Sequence, residues 1–334
     1  MDTGILYLSG ADVVRAMPSI DEGLELAERA MTALVADAEL PAKIGVHPRP
    51  DGSFAHAMPA SLRPGRVGAT TADDLLGMKW VLGFPANREL GAAPINALVV
   101  INDPGTGLPM AILDGAPITA RRTAAVSGVV VRRFAPTVTG RPLRAAVVGA
   151  GVQGRSHVEM LARVLPGISF AIHDRHSDRA ADLAAAAARL PGVTAAASVA
   201  SAREATVDAD VVITAVTFAR PEDRQRMSPD WLACDALVVA VDYAAMCSAA
   251  TARDGALFLV DDRGQFLANR DAGQFDGYPD PTATIGEAIL AGTRRPASGR
   301  VVATPLGVGL ADIVFAADIV SRARATGLGM LLAR

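Results

Sequence analysis

Ala145-Ala146-Val147-Val148-Gly149-Ala150-Gly151-Val152-Gln153-Gly154 is a short apolar run that ends in a G-x-G-x-x-G turn. The run predicts a buried strand, and the following stretch, His157–Leu165, carries a helix pattern. In such a turn Gly149 permits the sharp bend and Gly151 lets the backbone approach a pyrophosphate. Gly154 lets the helix pack on the strand. The helix start adds unpaired N–H groups and partial positive charge for an anion. Asp174 ends the next apolar run, 20 residues after Gly154, where an acid takes the hydroxyls of an adenosine ribose. Strand, turn, helix and acid together predict a dinucleotide site made by Gly149, Gly151, Val152, Gln153, Gly154 and Asp174. A carboxylate repels a 2′-phosphate and so favours NAD. Arg175, His176 and Ser177, which follow at once, suit that phosphate and leave NADP open.

Outward from this turn, short apolar runs alternate with helical stretches: Arg144–Val148, Ser169–His173, Val211–Ala215, Leu237–Val241 and Leu257–Val260. Continuous apolar strands between helices predict a parallel sheet covered on both faces. Ahead of Thr139-Gly140-Arg141-Pro142 the pattern differs. A strand is expected at Ile5–Leu8 and an amphipathic helix at Ile20–Ala38. Short extended runs, Asn96–Asn102 and Pro109–Leu113 among them, predict a mostly antiparallel sheet over residues 40–115. Its turns include Pro50-Asp51-Gly52 and Asp103-Pro104-Gly105-Thr106-Gly107. A helix over Thr119–Arg133, with Thr119 as N-cap, and a last helix over Leu310–Ala325 complete the reading.

The 334 residues suffice for two domains, and 51% hydrophobic with 20% charged residues is globular composition. A net charge of −3 argues against a dedicated nucleic-acid binder. No apolar run reaches the roughly 18 residues of a membrane span. Met1-Asp2-Thr3-Gly4 lacks the basic and apolar segments of a signal peptide. Cys234 and Cys247 offer neither a disulfide framework nor a cysteine metal site, so no metal is expected and a reduced cytoplasm is. Of 32 basic residues, 30 are arginine and two are lysine, Lys43 and Lys79. From composition alone two readings stand for them: chance survival, or a place that needs a compact, deprotonatable ammonium where a planar guanidinium does not serve.

Several further motifs occur in order: Gly77-Met78-Lys79-Trp80-Val81-Leu82-Gly83-Phe84-Pro85-Ala86-Asn87, Asn102-Asp103-Pro104-Gly105-Thr106-Gly107, Ala120-Arg121-Arg122-Thr123-Ala124-Ala125, Ala240-Val241-Asp242, Ile285-Gly286-Glu287 and Leu306-Gly307-Val308-Gly309-Leu310-Ala311-Asp312. Their order and spacing resemble the ornithine cyclodeaminase/μ-crystallin family over most of the chain. The resemblance implies a Rossmann-type dinucleotide domain over 126–309. It also implies an α+β substrate-binding and dimerisation domain from 1–125 with 310–334, a homodimer, and nicotinamide chemistry that forms or reduces a C=N bond at an amino-acid Cα. It places the substrate lysine on Lys79, the carboxylate-binding arginine on Arg122 and the catalytic aspartate on Asp242. Chemistry agrees: an arginine fork matches a carboxylate, and a strand-end carboxylate can carry a proton to or from nitrogen.

By the same resemblance Lys43 stands where cyclodeaminases use an arginine, and His56 where they use a glutamate. Tyr243-Ala244-Ala245-Met246 replaces their Cys-Pro-Gly-Lys run. Histidine cannot pair with an ornithine ammonium as glutamate can, so a substrate with a polar or acidic distal group fits Lys43, His56 and His47 better. Thr123 is placed at the pyrophosphate, and Thr214, Ala215 and Val216 at the adenosine and ribose. The activity expected is an NAD(P)-dependent oxidoreductase at the Cα–N bond of an amino or imino acid. The alternatives are a redox-neutral cyclodeaminase and a ligand-binding protein like μ-crystallin.

Overall fold

The computed structural model describes residues 4–50, 52–65 and 73–333. Met1–Thr3, which bear on the leader expectation, and Asp51 of the expected Pro50-Asp51-Gly52 turn lie outside them. The chain divides into two compact units, Met1–Arg122 with Gly307–Arg334, and Thr123–Leu306.

The first unit begins with β1 (Ile5–Leu8), α1 (Gly10–Arg15) and α2 (Ile20–Ala36). Ser9 and Ser19 close capping boxes with Asp12 and Glu22, which fixes where both helices start. Next come β2 (Ala38–Glu39), β3 (Ile44–Val46), β4 (Phe54–Leu62), β5 (Leu75–Gly83), β6 (Ile95–Asn102), β7 (Pro109–Asp114) and α3 (Gly115–Phe134), which belongs to this unit as far as Arg122. The α2 helix ends two residues before the expected Ala38, because Ala38 and Glu39 pair with β4. Thr119 is not an N-cap. The backbone N–H of Ala116 donates to Asp114 Oδ1, so α3 starts four residues earlier and takes Pro117 into its first turn.

The second unit runs β8 (Arg144–Val148), α4 (Val152–Val164), β9 (Ile168–His173), α5 (Ser177–Ala187), β10 (Val193–Ser198), α6 (Ala202–Thr206), β11 (Val211–Thr214), β12 (Leu237–Ala240), α7 (Ala249–Arg253), β13 (Leu257–Val260), α8 (Arg263–Asp271), β14 (Ala283–Thr284), α9 (Ile285–Leu290) and β15 (Val301–Thr304). The last elements, α10 (Gly309–Thr326) and β16 (Met330–Leu332), return to the first unit.

Among the described residues the first unit's sheet has the order β16-β1-β7-β6-β5-β4-β2, with β3 also on β4. It is antiparallel except for the β1–β7 pair. Both α2 and α10 belong to this unit, and α10 packs on β4, β5 and β6. The inward row Met58–Lys79–Val99–Leu113 is fully buried. The outward row Met330–Tyr7–Ile112–Val100–Met78–Pro59 is only partly covered.

The second unit's sheet is parallel throughout, in the order β10-β9-β8-β11-β12-β15-β13-β14. Chain direction across the sheet reverses between β8 and β11. This is the doubly wound, Rossmann-type arrangement, with its switch point at the G-x-G-x-x-G turn. The residues of β11, β12, β13 and β15 are all buried, as strands covered on both faces must be. No helix among the described residues is long and apolar enough to cross a membrane.

Under the carboxyl end of β12 lies an aromatic cluster. Phe266 packs on Phe258 and Phe275 at ring-centroid distances of 5.4 and 4.9 Å, and Phe275 stacks on Tyr243 at 5.6 Å. Phe266 is fully buried. Phe266→Ala removes the centre of the cluster, with an expected loss of about 3–5 kcal/mol. Urea unfolding followed by circular dichroism measures it.

Candidate active site

In the first unit, Lys79 extends from the middle of β5 into an apolar row, so its ammonium needs a partner. Its Nζ lies 2.7 Å from Asp312 Oδ2, and Arg122 Nε donates to Asp312 Oδ1 at 2.9 Å. All three side chains are buried: Lys79 is 1% exposed and Asp312 is 0%. Burial pulls the Lys79 ammonium down to about 7. Arg122 pushes in the same direction and Asp312 opposes both. Lys79 thus changes charge near neutrality, which an ordinary lysine does not.

Two glycines bring Asp312 into place. A Cβ on Gly309 would stand 2.5 Å from the Met58 carbonyl oxygen. One on Gly307, at φ +83°, would stand 2.8 Å from Arg122 Nη1. The sequence offered Asp312 only as part of a motif, with no role. Its separation from Arg122 by 190 residues hid the pairing.

The half-buried His56, next but one to Met58 on β4, faces the same side as Lys79. Its partner across β3 is Gly45, where a Cβ would stand 2.7 Å from His56 Cδ2, so glycine leaves room for the imidazole. Phe54 stacks on that ring at 4.6 Å. Desolvation lowers His56 to about 4, and the positive charges of Lys43, His47 and Lys79 add to the shift. The imidazole is therefore neutral at pH 7, in a positive local field.

In the second unit, Gly149 has φ +108°, a backbone state suited to glycine. A Cβ there would lie 2.4 Å from the Ala215 carbonyl oxygen, and one on Gly154 would lie 1.9 Å from the Gly149 oxygen. Gly151 has no atom within 4 Å of a Cβ position, and α4 begins directly after it. The backbone is thus open to a pyrophosphate at a helix start. A cleft of about 360 Å³ lies over Ala150, Gly151, Val152 and Arg155. Asp174 accepts from the N–H groups of Ala150 (2.7 Å) and His176 (2.9 Å), which ties the turn to the end of β9. Arg175 is exposed and donates through Nε to His176 Nε2 at 3.3 Å. These residues fit an NAD-type dinucleotide. Gln153 lies in the first turn of α4 and Thr123 is buried in α3.

Asp242, just beyond β12, is 2% exposed. Thr214 Oγ1 donates to its Oδ1 at 2.9 Å and the Val216 N–H to its Oδ2 at 3.1 Å. Thr214 and Val216, expected at the nucleotide, therefore spend these donors on Asp242. Burial pushes the Asp242 carboxyl up to about 7, against the pull of these two hydrogen bonds and of the backbone N–H groups of Asp242 and Met246. Tyr243, next in the chain, holds φ +59° and its hydroxyl donates to the Leu306 carbonyl, an uncommon conformation stabilised beside the buried Asp242. Asp261, also buried, accepts from the Leu306 N–H and serves the local backbone.

Thr214→Val keeps the volume and removes a hydrogen bond that favours the ionised carboxylate. The Asp242 midpoint is expected to move above 7. Carboxyl-carbon NMR of aspartate-labelled protein, with Asp242→Asn for assignment, measures the shift.

The family model for the ornithine cyclodeaminase/mu-crystallin family matches residues 10–259. A relative from Rhizobium meliloti, nodulation efficiency protein NfeD, is 33% identical over 302 residues, covering 88% of this chain and 87% of that protein. Alanine dehydrogenase of Archaeoglobus fulgidus is 30% identical over 155 residues, 45% of this chain and 42% of that protein. Among solved structures, the Thermococcus litoralis Δ1-pyrroline-2-carboxylate reductase in complex with NADH and L-proline superposes with a TM-score of 0.82. It is 25% identical, and the match covers 98% of this chain and 99% of that one. By model match, identity and fold, the chain belongs to the ornithine cyclodeaminase/mu-crystallin family.

Proposed function

We propose that the chain is an NAD(P)-dependent oxidoreductase acting at the Cα–N bond of an amino or imino acid, as an amino-acid dehydrogenase or an imine reductase. The observation that carries this reading is the buried pair Lys79 and Arg122 on one shared carboxylate. Its net charge of +1, with Lys79 protonated, is complemented by a single α-carboxylate. The relatives act on such compounds by name: alanine dehydrogenase, Δ1-pyrroline-2-carboxylate reductase and ketimine reductase.

In this reading the first unit is the substrate domain and the second holds the dinucleotide. Arg122 grips the substrate carboxylate in two-pronged fashion. Lys79 adds a point charge and, near neutrality, can hold or release a proton. Gly149, Gly151, Val152, Gln153 and Gly154 hold the pyrophosphate, with Thr123 assisting, and Asp174 the ribose. NAD(P), when bound, supplies the hydride exchanged with Cα. Asp242, titrating near 7, takes a proton during oxidation and returns one during reduction. His56, with Lys43 and His47, receives the substrate's distal group. The positive field at His56 disfavours an ammonium there and suits a polar or acidic group, which lowers the standing of ornithine cyclodeamination.

The outward row of the first unit's sheet supports a homodimer, with a second copy as its cover. Tyr7, Leu98 and Met330 are exposed on that face, Leu98 by 44%. Light scattering on the full chain is expected to give twice the 34.4 kDa of the monomer. Two free thiols, Cys234 and the buried Cys247, suit the reducing cytoplasm.

The test is a panel of α-amino acids with NAD or NADP, following reduced cofactor and ammonia together, and of cyclic imino acids with NADH. Net cofactor turnover is expected. Oxidation should rise with pH through about 7, as Asp242 loses its proton, and imine reduction should fall over the same range. Asp242→Asn should abolish most turnover. Ammonia release without net cofactor change would overturn the reading in favour of cyclodeamination.

A further inference from the structure

We propose that Asp312 is the positioning residue of the substrate pocket, one carboxylate oxygen aiming Lys79 and the other aiming Arg122. The inference rests on the reading of Lys79 and Arg122 as the carboxylate-binding pair. A guanidinium has two double-donor edges. Asp312 occupies Arg122 at Nε, at 2.9 Å, which directs the Nη1–Nη2 edge away from it as a fork for a second carboxylate. Those two Nη amines lie over Gly307, where any Cβ would press on them. The same carboxylate holds Lys79 Nζ at 2.7 Å, so the ammonium and the fork are fixed relative to one another by one planar group.

Stability alone is a poor reason for this arrangement. Three buried charged groups carry a desolvation cost that an apolar trio of equal volume avoids. The chain nevertheless builds Asp312 into the first turn of α10, and it needs glycine at both 307 and 309 to bring that turn against Arg122 and β4. Asp312 also sets how tightly Lys79 keeps its proton, since it counteracts both burial and Arg122. A positioning carboxylate therefore has a signature beyond folding: it moves the titration of Lys79.

The chain's only lysines are Lys43 and Lys79, so lysine NMR reads the effect directly. NAD-loaded full-length protein labelled at lysine Cε gives two signals, and Lys43→Arg leaves that of Lys79. Asp312→Asn is expected to lower the Lys79 midpoint by one pH unit or more. Asp312→Glu is expected to restore most of it. With Δ1-pyrroline-2-carboxylate and NADH, Asp312→Asn should raise KM at least tenfold. Gly307→Ala should raise KM by displacing Arg122, and should move the Lys79 midpoint upward, opposite to Asp312→Asn, because Arg122 helps hold it down. A Lys79 midpoint unchanged in Asp312→Asn overturns the proposal. The titration needs no turnover. Failure of the substrate assay with an Asp312-dependent Lys79 midpoint therefore counts against the oxidoreductase reading and for the role of Asp312.

Discussion

One carboxylate shared by two cations in a dry interior governs the first unit. Each of the three ions loses several kcal/mol of hydration on burial, and only close mutual pairing makes the loss tolerable. The constraint propagates through the unit. Lys79 sits within a row that is otherwise Met58, Val99 and Leu113, so its amine finds no polar partner in the row itself. The chain must return after nearly 200 residues to supply Asp312, and it does so through a segment where backbone approaches backbone too closely for side chains.

The second unit solves a related problem differently. Among the described residues no cation pairs with Asp242. Neutral donors, Thr214 and the backbone N–H groups of Val216, Asp242 and Met246, compensate part of its burial and leave its carboxyl near 7. Lys79 reaches the same region from the opposite side, because burial disfavours whichever form is charged. A base that falls and an acid that rises by one cause are both placed where proton transfer is efficient at neutral pH. The aromatic cluster of Phe258, Phe266, Phe275 and Tyr243 holds the turn that carries Asp242.

The dinucleotide fold was legible because its signals are local. Val147 and Val148 run into three glycines. The bend at Gly149 and the close approach of Gly154 to the Gly149 oxygen are local, although the carbonyl that Gly149 must also clear belongs to distant Ala215. Strand β8 is found as expected, whereas β10 was not foreseen. Thr194-Ala195-Ala196-Ala197 has the composition of a helix, and it becomes a strand only because β9 offers an edge to pair with. The start of α3 was misplaced because Thr119 resembles a cap while Asp114, the donor's true partner, belongs to the preceding strand. In the candidate site the individual residues could be named from motif spacing. Their partners could not: Asp312 for Lys79 and Arg122, and Asp242 for Thr214, are contacts across 28 to 233 positions that no local pattern encodes.

A buried amine poised near neutrality has a thermodynamic consequence for ligand binding. An anion arriving beside Lys79 raises its affinity for a proton, so docking of a carboxylate near pH 7 draws protons from solution. The buffer supplies those protons and contributes its own heat of ionisation. Calorimetric enthalpies taken in phosphate and in Tris would then differ for the same ligand, and the slope against buffer ionisation heat would count the protons taken up.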